Sequence, residues 1–133
     1  MKIYLASPFF NQKQRENVEQ VASVYRGLGY EVFVPMEHTI PNAWDLPNHQ
    51  WANAVFRTDV NAIQECDIVV AIVYGMEDDA GTSWEIGYAY GINKPVNLLL
   101  MNETTYSLMV VQSAESGANA ELEQIDLRSI LQS

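Results

Sequence analysis

The sequence predicts a doubly wound α/β domain, with a mainly parallel sheet of four to five strands and helices on both faces. Two observations carry this expectation. Four short strand-like runs alternate with helical segments from residue 2 to residue 101, the rhythm of right-handed crossover connections. The third run, "DIVVAIVY" (67–74), is apolar at nearly every position, as a strand buried on both faces of a parallel sheet should be. A chain of 133 residues, 48% apolar and 18% charged, fits one globular domain spanning 1–133.

The elements follow in order. "KIYLA" (2–6) is the first strand, with Tyr4 pointing away from Ile3 and Leu5. A first helix starts near Asn11, a good N-cap, carries Val18, Val21, Ala22, Tyr25 and Leu28 on one stripe, and meets Gly29 as its stop. "YEVFVP" (30–35) is the second strand. The turn-rich "PMEHTIPNAWDLPN", with three prolines and Trp44, is long enough to be a lid or binding loop. A second helix runs from His49 to Glu65 with Ala52, Val55, Phe56 and Ile63 inward. The third helix begins at Thr82 or Ser83 and ends near Asn93, and "PVNLLLM" (95–101) is the fourth strand. Beyond it, "TTYSLMVVQSA" reads as a short helix, and "AELEQIDLRSIL" as a last strand or helix.

Composition narrows the partners. A net charge of −10, with seven scattered basic residues, argues against nucleic acid and anionic membranes, and less strongly against a polyphosphate substrate. No apolar run is long enough for a membrane span, and the N-terminus lacks the pattern of a signal peptide. With a single cysteine, Cys66, read as a packed thiol, this points to the reducing cytoplasm.

Ligands of open parallel sheets bind at the carboxyl ends of the strands, and strand order 2-1-3-4 would set the loops after strands 1 and 3 side by side. Neither is a phosphate cradle: there is no GxGxxG or GxxxxGK[ST]. They offer Phe9 and Phe10 facing Asp78, Asp79 and Glu85, flat apolar surface beside carboxylates, which suits a nucleoside. The plainer alternative packs both rings under the loop. Asp59 shares the inward stripe of the second helix, where a charge must be paired or wet, unless it sits at the stripe's solvent edge. His38 and His49 have no partners at zinc spacing. Thr82 and Glu85 form a T-x-x-E capping box, so Glu85 either finishes a helix start or does chemistry.

"KIYLASPFFN", "RTDVNAIQECDIVVAIV" and "DDAGTSWEIGYAYGINKPV" together resemble the nucleoside 2-deoxyribosyltransferase family, in order and over most of residues 2–101. The resemblance implies a flavodoxin-like fold and exchange of the base of a 2′-deoxynucleoside for another free nucleobase, without metal or organic cofactor. It implies Glu85 as the nucleophile on C1′, and Asp79 and Asp59 around base and sugar, one helping to protonate the departing base. Tyr4 would hold Glu85, and Phe9 would lie against the base. A homo-oligomer, dimer-based and up to a hexamer, would share active sites through an Asn-x-Met segment. Here "YSLMV" keeps Met109 but puts Ser107 in the Asn position, a shorter reach to the sugar's 5′-hydroxyl. The chain also ends earlier than is usual for the family.

The chemistry stands on its own terms. A carboxylate attacking an anomeric carbon gives a covalent glycosyl intermediate and net retention, and a helix N-terminus favours the ionised nucleophile. The competing readings are a deoxynucleoside or deoxynucleotide N-hydrolase and a non-catalytic nucleotide-sensing module.

Overall fold

The computed structural model describes residues 1–38, 48–75, 80–101, 106–114, 116–119 and 126–132. Five strands form one sheet in the order β2-β1-β3-β4-β5: β1 (Lys2–Ala6), β2 (Glu31–Phe33), β3 (Ile68–Val73), β4 (Val96–Leu100) and β5 (Ser116–Asn119). Every neighbouring pair is parallel, and Tyr4 lies level with Phe33 on one side and Val69 on the other. The order reverses between β1 and β3, so a crevice lies beyond the carboxyl ends of those two strands.

Side chains alternate across the sheet and divide the core in two. Ile3, Leu5, Val32, Val70, Ile72 and Leu99 pack on one face with α1 (Gln12–Gly27) and α5 (Leu127–Gln132). Tyr4, Ala6, Val69, Ala71, Val96 and Leu98 point to the other face, with α2 (Asn48–Glu65) and α3 (Ala80–Gly91). β3 is buried at all six positions, which its unbroken apolar run required.

The ends of α1 show how sequence sets its limits. The Asn11 side chain accepts from the Gln14 backbone N–H at 2.8 Å, capping the start. At the other end Gly29, at φ +93°, donates to Arg26 while Tyr30 donates to Tyr25, a Schellman closure that a residue with a Cβ would strain. Leu28 closes the helix at its rim and is exposed, not part of the inner stripe.

Two helices differ from expectation. In α2 only the carboxyl-terminal part, centred on Ile63, is deeply buried; Ala52 is exposed, Val55 is half-buried and Phe56 is 49% exposed. The helix has 18 residues against strands of three to six, so its amino-terminal part overhangs the carboxyl edge of the sheet. There Phe56 packs edge-on against Trp84, ring centroids 5.4 Å apart. α3 starts at Ala80, two residues before Thr82, so Thr82 is inside the first turn and Glu85 in the second. Their pair is therefore not a terminal capping box.

The expected lid contributes a short 3₁₀ turn at Pro35–Glu37, and Trp44 lies outside the described residues. The short helix expected after the fourth strand is α4 (Leu108–Gln112), and the end of the ambiguous carboxyl-terminal stretch is α5, while residues 120–125 lie outside the described residues. Cys66 is buried, its thiol reaching the Ile63 carbonyl at 3.0 Å, and burial pushes its pKa up.

Candidate active site

A cavity of about 220 Å³ opens at the crevice between β1 and β3. Ser7, Pro8, Phe9 and Phe10 line it from the loop after β1, and Pro35 and His38 from the turn after β2. Val55, Thr58 and Asp59 come from α2, and Gly81 and Glu85 from α3. Four separate chain segments thus converge on one hollow, as the switch-point geometry dictates.

The Tyr4 hydroxyl donates to Oε2 of Glu85, one of the residues that line the cavity. Tyr4 is wholly buried because alternation in β1 aims it at the α2–α3 face, where its ring stacks on Phe33 at 5.4 Å. Burial, and then the facing Glu85 carboxylate, push the phenol's pKa far up, so it stays a donor at every physiological pH. A buried phenol needs a partner, and a carboxylate is the strongest available acceptor. Glu85 is half-buried, and being in the second turn it lies beyond the strongest part of the helix dipole. The backward lean of helical side chains still carries its carboxylate toward the helix start and the crevice.

Asp59 is half-buried on the cavity wall contributed by α2, and burial raises its pKa, partly offset by the charge of His38. It is neither in the core nor in bulk solvent: the inward stripe of α2 faces a hollow at this level. Phe9 and Phe10 do not pack under their loop. They are 39% and 75% exposed, stacked on each other at 6.4 Å, with both rings bordering the cavity.

The structure therefore brings together Tyr4, Phe9, Asp59 and Glu85. Asp78 and Asp79 lie outside the described residues. Ser107 and Met109 do not join the cavity of their own chain; they line a separate groove of about 560 Å³ between α3 and α4, with Ser83, Gly87 and Tyr90. Met109 is 77% exposed, and Ser107 begins α4 without capping it through its side chain. His38 was passed over in the sequence as a lone histidine without metal partners. Its position directly after a strand, at the sheet's carboxyl end, was the available signal. Among the described residues no group of three or more His, Cys, Asp or Glu side chains is placed to hold a metal ion.

Comparison with known proteins gives this geometry a family. Residues 3–124 match the model of the nucleoside 2-deoxyribosyltransferases. A nucleoside deoxyribosyltransferase of Limosilactobacillus fermentum is 31% identical over 109 residues, covering 74% of this chain and 64% of the relative. The chain thus spans just under two thirds of that relative's length. A Thermofilum pendens protein, provisionally described as a 2′-deoxynucleoside 5′-phosphate N-hydrolase, is 28% identical over 109 residues, with coverages of 81% and 73%. The solved structure of a 2-deoxyribosyltransferase from Bacillus psychrosaccharolyticus superposes with a TM-score of 0.84 at 34% identity, covering 98% of this chain and 96% of that one. The chain belongs to the nucleoside 2-deoxyribosyltransferase family.

Proposed function

We propose that this protein transfers 2-deoxyribose from a 2′-deoxynucleoside to a free nucleobase by double displacement. The single observation that carries the proposal is Glu85, bonded by the buried Tyr4 hydroxyl, on the wall of a cavity it shares with Phe9 and Asp59. Such a wall presents a fixed carboxylate to one face of a sugar ring, while the aromatic rim takes the base.

In the first half-reaction Glu85 attacks C1′, the C1′–N bond breaks, and its electron pair leaves with the base. A carboxyl group, Asp59 or Asp79, gives that base its proton. In the second half-reaction an incoming base gives its N–H proton to that same carboxylate, attacks C1′ and releases Glu85 as carboxylate. Two inversions give net retention. Without a 2-hydroxyl the sugar tolerates oxocarbenium character readily, so modest acid assistance suffices, and no step calls for a metal or organic cofactor. Phe9 lies against the base, and Tyr4 holds Glu85 in place. Ser107 and Met109 reach the site of a neighbouring subunit in a homo-oligomer, a role that fits their exposure on a groove away from their own cavity. The setting we infer is the cytoplasm, on deoxynucleosides and bases of nucleotide salvage.

The likeness to the Thermofilum pendens protein favours a second reading, hydrolysis of a deoxynucleoside 5′-phosphate. That substrate needs cationic groups for its phosphate, and no Lys or Arg occurs among the described residues lining the cavity. Incubating the protein with deoxyadenosine, with and without cytosine, separates the two. Deoxycytidine forming only when cytosine is present supports transfer; free deoxyribose with no exchange product overturns it.

A further inference from the structure

Beyond the carboxylates, one titratable side chain faces the cavity from a segment the reaction has not yet used. His38 ends the turn after β2, and three contacts fix it. Its backbone N–H donates to the Pro35 carbonyl at 3.0 Å. Its ring lies flat on Phe33, with centroids 4.1 Å apart and planes 11° from parallel. The preceding residue, Glu37, is gripped by Arg26 through a two-pronged contact at 2.6 and 2.8 Å, while the same guanidinium also donates to the Val32 carbonyl. A histidine held this firmly at a cavity wall is placed, not merely tolerated.

The groups around it define what it acts on. Facing Asp59 are the Tyr4 phenol from β1, the Glu85 carboxylate from α3 and His38 from the turn. His38 itself faces Glu37 in its own turn and, on its far side, Lys2, Glu31, Glu65 and Cys66 around a second hollow of about 260 Å³. Within the substrate cavity it is thus the group that, when protonated, sets a positive charge against Asp59.

We propose that His38 is a positioning residue for the base's proton, acting through Asp59 as its charge partner. The inference rests on the transfer reaction proposed above and assigns the acid–base step to Asp59. On departure the Asp59 carboxyl gives its O–H proton to the base nitrogen that receives the C1′–N electron pair. Asp59 becomes a carboxylate, and the His38 imidazolium faces that new charge. On return the Asp59 carboxylate takes the N–H proton of the incoming base as that nitrogen bonds C1′. Burial alone would hold the proton on Asp59 and spoil this second step. A cation across the cavity opposes that trapping, so one carboxyl group serves both half-reactions.

The test couples a titration to a rate. Asp59 would be followed by carbon NMR in wild type and in His38→Gln, and exchange between deoxyadenosine and cytosine measured against pH in both. Removing the positive charge should move the Asp59 midpoint upward, and the limb of the rate profile governed by it should move upward equally. In an Asp59→Asn background, His38→Gln should change the profile no further. An unmoved midpoint overturns the proposal. So does a moved midpoint with an unmoved profile, or a His38 effect of full size without Asp59. The titration needs no turnover, so these outcomes stay distinct from failure of the transfer reading, which exchange surviving in Glu85→Gln would signal. His38→Asn, a second neutral replacement, should reproduce the shift if charge is what matters.

Discussion

The cavity at the β1–β3 crevice and the groove between α3 and α4 share a helix but differ in construction. In the cavity the reactive groups are already arranged within one chain: Tyr4 is fully buried, bonded to Glu85, and seated on Phe33. In the groove Met109 is 77% exposed, and the Ser107 side chain does not cap α4. The first is a site pre-organised by the core. The second is a surface whose role depends on what it meets. The contrast teaches that a buried, bonded pair fixes its own geometry, whereas an exposed groove acquires a role only through what it meets.

Substitutions break or sharpen that contrast to different degrees. The largest effect belongs to Glu85→Gln, which keeps an acceptor for Tyr4 and so preserves the fold. Exchange followed by chromatography should fall by about 10⁴-fold or more. Next is Tyr4→Phe. Losing a hydrogen bond to a charged group removes roughly 1.5–3 kcal/mol, or about 10- to 100-fold in kcat. Stability should drop by a similar amount, about 1.5–3 kcal/mol, in denaturant unfolding, and an unchanged kcat would mean that Glu85 is held in place by other groups.

Met109→Ala probes the groove. An exposed side chain contributes little to its own chain, so the melting temperature should not move. If the segment serves a neighbour's site, KM for the deoxynucleoside should rise by about tenfold, the cost of truncating an interface contact. An unchanged KM would make the groove an ordinary surface.

The smallest effect concerns Asp59 and stability. Its folded-state pKa is raised by burial, so the stability carried by its protonated form is present below the unfolded value and lost as pH rises through the folded one. Ionising Asp59 in the folded protein is therefore a liability, and Asp59→Asn should melt slightly higher than wild type once pH exceeds the folded-state midpoint. That difference should close as pH falls toward about 4, near the ordinary aspartate value. A variant that melts lower at neutral pH would show Asp59 to be held by bonds to its charged form.

Much of this arrangement was legible in the residues. The buried run of β3, the alternation of Tyr4 against Ile3 and Leu5, and the Asn11 and Gly29 signals of α1 are local features with local causes. β5 was not legible: "SGAN" is poor strand material, and it pairs because β4 offers a free parallel edge, a tertiary cause. The start of α3 was misplaced because T-x-x-E is a strong capping pattern, which the helix overran by beginning at Ala80. Overhang explains α2: periodicity identifies a stripe but not where the sheet beneath it ends. His38 was hidden for a similar reason, since its meaning comes from Asp59, 21 positions along the chain and on another element.

The central claim is that Glu85 carries the sugar between bases. Protein incubated with deoxyadenosine and no acceptor, quenched in acid and digested, should yield the Glu85 peptide heavier by one deoxyribosyl group. Cytosine added before the quench should discharge it. An adduct on another residue, or exchange at an unaltered rate in Glu85→Gln, would contradict the account.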